Sequence, residues 1–260
     1  MTHGLVGAKS GWGKSWFCQW WTEDNVPEYD YLLVLDYKDE YRGLVKANLA
    51  HWGIAGPDEV SAGAAAWKEV LEQNGTLVLA RHRLCTEEWR EMCAAAIRAA
   101  RRLDGTALVV IDEAHFVAPQ SGSYPDTIEG LATTGRGEGV SSMWVTQRLA
   151  RLDETVVAQT MVRLLGGFSS TADLNKVGGV VDYPEDVHNP QVSTIHGLPS
   201  DLEASDGPVP VRKFTENGKT QGSEWIYSTD GGDTRRVDSR MLTMQSTHYG
   251  PEGEGLSTPG

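Results

Sequence analysis

A glycine-rich loop near the start of the chain has residue types suited to binding phosphate. It follows the apolar run at residues 4–7 and reads Ala8, Lys9, Ser10, Gly11, Trp12, Gly13, Lys14 and Ser15. Glycines let successive backbone N–H groups point inward at an anion, and a helix beginning at Lys14 adds positive potential. The Lys14 ammonium could reach the β- and γ-phosphates, and the Ser15 hydroxyl could ligate Mg²⁺. The loop therefore predicts a site for ATP and Mg²⁺, with Ala8 where glycine is usual.

Two adjacent carboxylates, Asp112 and Glu113, follow a second apolar run at residues 107–111. In a parallel sheet, such a run ends at the edge where ligands bind. Asp112 there could hold Mg²⁺, and Glu113 could orient and deprotonate an attacking water. The pair favours hydrolysis over phosphoryl transfer to a small molecule.

Three further residues are candidates for a role in or near the site. Gln147 follows a buried run and could hold the lytic water or sense the γ-phosphate, but it could also be an ordinary strand-end amide. Arg136, between Gly135 and Gly137, could neutralise transition-state charge in cis or from a neighbouring subunit, or be a surface arginine. Trp12 could stack on a base or pack against a neighbouring subunit.

The elements that must position these residues alternate between apolar runs and helical patterns. Expected strands are 4–7, 31–36, 76–80, 107–111, 140–146 and 161–168, and expected helices begin at 14, 62, the N-cap Thr86, and 170. The fold class is therefore α/β, with a mainly parallel sheet and helices on both faces. With the phosphate loop after its first strand, it resembles a RecA-like P-loop NTPase. Residues 1–200 are the expected motor core, 201–228 a β-hairpin extension around Asn217 and Gly218, and 229–260 a mobile tail.

Composition limits the class of partner. The net charge is -13, from 36 acidic and 23 basic residues, and fewer than half of the basic residues are lysine. Ordinary solubility and adaptation to high salt are both consistent with this balance. The acidity argues against a broad basic face for nonspecific nucleic-acid binding, so any DNA contact must come from a local patch. No apolar stretch is long enough to span a membrane, and no signal peptide is evident, so we expect a cytoplasmic location.

Together these motifs resemble the HerA/FtsK superfamily of DNA-translocating ATPases. The segment 36–41 looks like the family's Asp-Pro-x-Gly-Glu-Tyr stretch, with Tyr37 and Asp39 replacing proline and glycine. The segment 135–140 looks like the family's Gly-Arg segment, whose arginine acts across a subunit boundary. Residues 146–149 look like Thr-Gln-Arg-Pro, with Leu149 in place of proline.

The resemblance implies a homo-oligomer, a hexameric ring around double-stranded DNA, with Arg136 facing the neighbour's γ-phosphate. Because the phosphate loop begins at residue 8, the chain is most similar to the genome-packaging ATPases of tailless icosahedral viruses with an internal membrane. The acidic composition points to a virus of a halophilic archaeon, with a capsid vertex or membrane-associated portal protein as partner. A cellular or plasmid translocase and a regulatory ATPase that never moves DNA are the alternatives.

The residues that would contact DNA are less defined. Arg98, Arg101 and Arg102 share one predicted helix and could track phosphates, or could pair with glutamates near the start of that helix. Arg148 and Arg151 are further candidates.

Overall fold

The computed structural model describes residues 1–250, and its strands there form one sheet in which most neighbours are parallel. The strands are β1 (His3–Gly7), β2 (Tyr31–Asp36), β3 (His51–Ala55), β4 (Thr76–Arg81), β5 (Ala107–Ile111), β6 (Val140–Thr146), β7 (Val162–Leu165), β8 (Lys213–Glu216), β9 (Lys219–Thr229) and β10 (Thr234–Asp238). Their order across the sheet is β10-β9-β7-β1-β6-β5-β2-β4-β3, and β8 pairs with β9.

Helices connect the parallel strands. Those within residues 1–250 are α1 (Lys14–Asn25), α2 (Arg42–Lys46), α3 (Ala64–Asn74), α4 (Thr86–Ala100), α5 (Ala114–Val117), α6 (Asp126–Thr134), α7 (Glu154–Ala158) and α8 (Thr171–Gly178). None of these helices combines the length and apolar character that crossing a membrane requires.

Alternate residues of β2 enter two separate hydrophobic clusters. Leu33 and Leu35 pack in a cluster with residues of α3 and α4, whereas Leu32 and Val34 pack in a cluster with residues of α1. Burial on both faces explains why the central strands read as continuous apolar runs. The predicted α/β class, with helices on both faces of a mainly parallel sheet, is confirmed.

The sheet brings the expected motifs to one edge. Strand β6 lies between β1 and β5, and the register pairs Gly7 with Thr146 and Ile111 with Trp144. Because these strands are parallel, the loop after β1 and the carboxylates after β5 lie at the same carboxyl edge.

The C-terminal part differs from the expectation of a mobile tail over 229–260. Asn217 and Gly218 both have positive φ, 50° and 77°, as a tight hairpin turn requires. Strand β9 pairs with β7, and β10 then adds to β9. The sequence pattern does not predict β10, because an edge strand can be polar and β10 carries two arginines and an aspartate. One of these arginines, Arg236, donates to Glu224 of β9 at 2.6 Å. Residues 251–260 lie outside the described residues, and the proposed division at 200 and 228 stays a prediction.

Two local expectations need correction. The N-cap of α4 is Cys85 and not Thr86, because the Cys85 sulfur accepts from the Glu88 N–H while the Glu88 carboxylate accepts from the Cys85 N–H.

Strand β3 is not among the strands expected from the sequence. Its outer position leaves residues 51–54 partly or fully exposed, so the strand lacks a long apolar run.

Candidate active site

The phosphate loop is fixed at both ends by backbone geometry. Ala8 N–H donates to the Thr146 carbonyl at 3.3 Å, and Lys9 N–H donates to the Gly167 carbonyl at 2.9 Å. Gly11 and Gly13 have φ of 70° and 91°, which residues with a Cβ rarely adopt. Gly13 is the N-cap of α1, so the loop opens directly onto a helix amino terminus.

Trp12 anchors this loop within its own subunit. Its side chain is 2% exposed, and its indole Nε1 donates to the Glu224 carbonyl of β9 at 3.1 Å. A Cβ on Gly166 or Gly167 would come within 2.4 Å of the indole, so the ring lies directly against that backbone. This corrects the expectation that Trp12 stacks on a base or packs against a neighbouring subunit.

We expect Trp12→Ala to lower the free energy of unfolding by about 3–5 kcal/mol, because the change leaves a cavity under the loop. Urea unfolding measures this loss. Trp52→Ala is the matched control, since Trp52 is a partly exposed residue of the outer strand β3 and should cost less. A Trp12→Ala loss no larger than that of the control would contradict an anchoring role.

The predicted phosphate and metal residues line one cavity of about 670 Å³. Its walls include Lys14, Ser15, Asp112 and Glu113. Lys14 Nζ lies 3.4 Å from the Lys9 carbonyl, so the side chain turns back over its own loop. The structure therefore brings the two strongest motifs of the sequence together.

The electrostatics of the cavity fit a divalent cation. Burial raises the pKa of Asp112 well above its usual range, and the nearby Asp36 and Glu113 raise it further. Burial likewise raises the pKa of Asp36 to about 7. Asp112 Oδ2 and Glu113 Oε2 are buried without a hydrogen-bond partner. Buried carboxylate oxygens of this kind are what Mg²⁺ and its bound water would satisfy.

The opposite wall of the cavity comes from the C-terminal part of the chain, which sequence analysis does not assign to the site. Its lining includes Thr220, Gln221, Gly222, Ser223, Ser239, Arg240, Leu242, His248 and Gly250. Ser15 Oγ lies 3.3 Å from His248 Nε2. No local signal could reveal this wall, because its residues are mostly polar or glycine and are more than two hundred residues from the phosphate loop in the sequence.

The segment 243–248 reaches the cavity along one polar face of α1. The Glu23 carboxylate accepts the Ser246 N–H at 3.0 Å. Gln19 Nε2 donates to Ser246 Oγ at 2.8 Å, and Gln19 Oε1 lies 3.0 Å from His248 Nδ1. Ser15, Gln19 and Glu23 are spaced four apart, so they lie on one side of the helix. This face positions His248 beside the predicted metal-binding serine.

Glu113 lies in a buried polar cluster at the carboxyl edge. Its Oε1 forms an ion pair with the Lys38 ammonium, and its Oε2 lies 3.4 Å from His115 Nδ1. Burial lowers the pKa of His115 to about 4, so the ring is neutral at pH 7. His115 Nδ1 also lies 3.0 Å from Thr146 Oγ1. The cluster thus links the predicted base to the end of β6.

Gln147 and Arg136 are not among the lining residues of this cavity. Gln147 follows β6 at the same edge of the sheet and is partly exposed. Arg136 is exposed in the turn before β6, and its Nε donates to the Met1 carbonyl at 3.2 Å. That turn is at the amino edge, so β1 separates Arg136 from its own phosphate loop by roughly 15 Å. This geometry rules out the cis alternative for Arg136.

The hydrogen bonds of Arg98, in α4, and of Arg101, directly after it, go to residues 127–138 and not to the glutamates of α4. Arg98 donates to Thr127 Oγ1 at 3.0 Å. Arg101 binds both carboxylate oxygens of Glu138, at 2.6 and 2.7 Å. Because Glu138 belongs to the same turn as Arg136, Arg101 holds that turn in place.

Comparisons with known proteins agree with this fold. No protein-family model matches the sequence, and no curated protein matches it. Among solved structures, the genome packaging NTPase B204 from Sulfolobus turreted icosahedral virus 2, in complex with ATP-gammaS, has a TM-score of 0.58 at 11% identity, covering 90% of this chain and 96% of that one. VirB4 of Thermoanaerobacter pseudethanolicus has a TM-score of 0.58 at 10% identity, covering 90% and 88%. Similarity at this identity concerns the fold alone, which is that of a P-loop NTPase.

Proposed function

We propose that the chain is an ATP-hydrolysing DNA translocase whose complete active sites lie between neighbouring copies. The observation that carries the proposal is the position of its motifs. Lys14, Asp112 and Glu113 lie at the carboxyl edge, and Arg136 projects from the amino edge. A subunit that offers half a site at each edge suits a head-to-tail interface, the kind of interface from which cyclic rings are built.

In the proposed reaction, Lys14 and the N–H groups of the phosphate loop bind the phosphates of ATP. Ser15 and Asp112 would hold Mg²⁺, which supplies charge neutralisation when bound. The Glu113 carboxylate accepts a proton from the attacking water as the water oxygen bonds to the γ-phosphorus. The bond from that phosphorus to the β–γ bridging oxygen breaks, giving ADP and phosphate. Gln147 is proposed to hold the water or sense the γ-phosphate.

Genome packaging is the form of translocation that we favour. The motif resemblance supports it, and the fold matches B204, itself described as a genome packaging NTPase. The proposed partners are double-stranded DNA, further copies in a hexameric ring, and a capsid vertex or membrane-associated portal protein in the host cytoplasm. A cellular or plasmid translocase and a regulatory ATPase remain the competing functions.

The decisive experiment measures phosphate release with and without linear duplex DNA. A translocase should hydrolyse ATP faster on duplex DNA and should displace streptavidin from a biotinylated end. A rate of ATP hydrolysis that duplex DNA does not change would favour the regulatory ATPase. Electron microscopy with duplex DNA and an ATP analogue should show a six-fold ring enclosing the DNA.

The acidic surface leads to a separate prediction about salt. If the net charge of -13 reflects a halophilic source, the melting temperature should rise as KCl increases into the molar range, because screening weakens self-repulsion. Thermal unfolding at several KCl concentrations measures this. In a Glu87→Gln/Glu91→Gln variant, which neutralises two exposed carboxylates of α4, the salt dependence should be smaller. A flat or falling melting temperature in the wild type would argue against halophily.

A further inference from the structure

The proposed mechanism assigns no role to Lys38, although this residue lies in the site. It lies in the loop after β2, lines the same cavity as Lys14, and pairs through its ammonium with Glu113 Oε1. The Glu113 side chain is 2% exposed and that of Lys38 is 37% exposed. The carboxylate of the pair is therefore buried, whereas the lysine side chain is partly exposed to solvent.

The loop that carries Lys38 is held independently of this ion pair. The buried Asp36 carboxylate accepts the Glu40 N–H at 3.0 Å and the Tyr41 N–H at 2.9 Å. Asp39 accepts a hydrogen bond from Arg42 Nε at 2.7 Å. These bonds hold the loop that carries Lys38 without any contribution from the Lys38–Glu113 ion pair.

The ion pair has a chemical consequence for Glu113. A carboxylate oxygen bound to an ammonium has little capacity left to position a water. An ammonium has three donors on a flexible stem, and a γ-phosphate offers it more negative charge than one carboxylate does. An anion entering beside Lys14 would therefore compete with Glu113 for Lys38.

We propose that Lys38 is a γ-phosphate-sensing residue that exchanges its partner from Glu113 to the γ-phosphate when ATP binds. The inference rests on the proposed ATPase function and adds a residue to its site. The exchange frees Glu113 Oε1 only when a γ-phosphate is present, so the base becomes available for water together with the substrate. ADP, which lacks that phosphate, leaves the pair intact.

The test compares binding of ADP and a non-hydrolysable ATP analogue, both with Mg²⁺, by titration calorimetry. In Lys38→Met, the preference for the analogue should fall about tenfold or more, the scale of one charge-assisted hydrogen bond, with ADP affinity unchanged. Lys38→Arg should keep most of the preference. Lys68→Met is the matched control, because Lys68 also pairs with a glutamate, Glu72, but on the exposed face of α3.

A second pair of variants distinguishes exchange from a fixed structural contact. In Glu113→Gln, Lys38 no longer has to leave a carboxylate, so the analogue should bind more tightly relative to ADP than in the wild type. Adding Lys38→Met should remove that gain. An unchanged preference in both Lys38→Met and Glu113→Gln would overturn the inference, and intact DNA-stimulated hydrolysis would then leave the proposed function standing. A wild type that hydrolyses no ATP would instead overturn the function itself.

Discussion

Replacing Glu113 with glutamine should leave Mg-ATP bound but lower its hydrolysis by about 10²–10⁴-fold, the usual contribution of a general base. The substitution keeps the shape of the side chain and removes its charge and basicity. Glu113 is 2% exposed, and its φ of 46° is a backbone conformation that non-glycine residues seldom adopt. Its Oε2 is buried without a hydrogen-bond partner. A buried carboxylate in a strained backbone conformation is suited to accepting a proton from water.

The measurement is single-turnover phosphate release from a preformed Mg-ATP complex, with binding checked separately. The control variant is Glu69→Gln, which makes the same chemical change on the exposed face of α3 and should hydrolyse ATP at the wild-type rate. If Glu113→Gln also turned over at the wild-type rate, another group would have to be the base.

Asp112 and Glu113 could be predicted from the sequence because they follow a strand that is buried on both faces. The run before Asp112 is wholly apolar, and the structure places it as β5 with every residue buried. Such a strand cannot be mistaken for a surface element, and its end must lie at the sheet edge. The same reasoning located the phosphate loop after β1. Their chemical roles remain proposals, whereas their proximity is a property of the structure.

The C-terminal wall could not be predicted, because its contacts are set by the tertiary fold and not by a local pattern. His248 lies beside Ser15 because Glu23 and Gln19 on α1 bind Ser246, and Gln19 also contacts His248 itself. Gly231 and Gly232 in the turn before β10, and the charged residues of β10 itself, resemble a mobile tail in composition. The packing of Trp12 could not be predicted for the same reason, because the indole packs against the backbone of Gly166 and Gly167, which are distant in the sequence.

Replacing Arg136 with alanine should leave ATP binding intact and reduce hydrolysis by about 10³–10⁵-fold, the effect of removing an arginine finger. The guanidinium can bridge two γ-phosphate oxygens, which no smaller side chain replaces. Arg136 cannot reach its own phosphate loop, because β1 lies between the two edges. Its turn is nevertheless well held, with Glu138 bound by Arg101 at 2.6 Å. A fixed turn that presents an exposed arginine suits a contact with a neighbouring subunit.

Mixing two inactive variants tests whether Arg136 acts in trans. Arg136→Ala subunits keep an intact phosphate loop, and Lys14→Ala subunits keep an intact arginine. Rings that contain both should form some complete sites and recover hydrolysis. The matched control mixes Lys14→Ala with Glu113→Gln, whose defects lie in the same half of the site, so no complete site can form. Full activity in Arg136→Ala alone would remove the finger role and leave Arg148 as the next candidate. If verified mixed rings recover no more hydrolysis than the control, Arg136 does not act in trans, unless turnover requires several intact sites in succession.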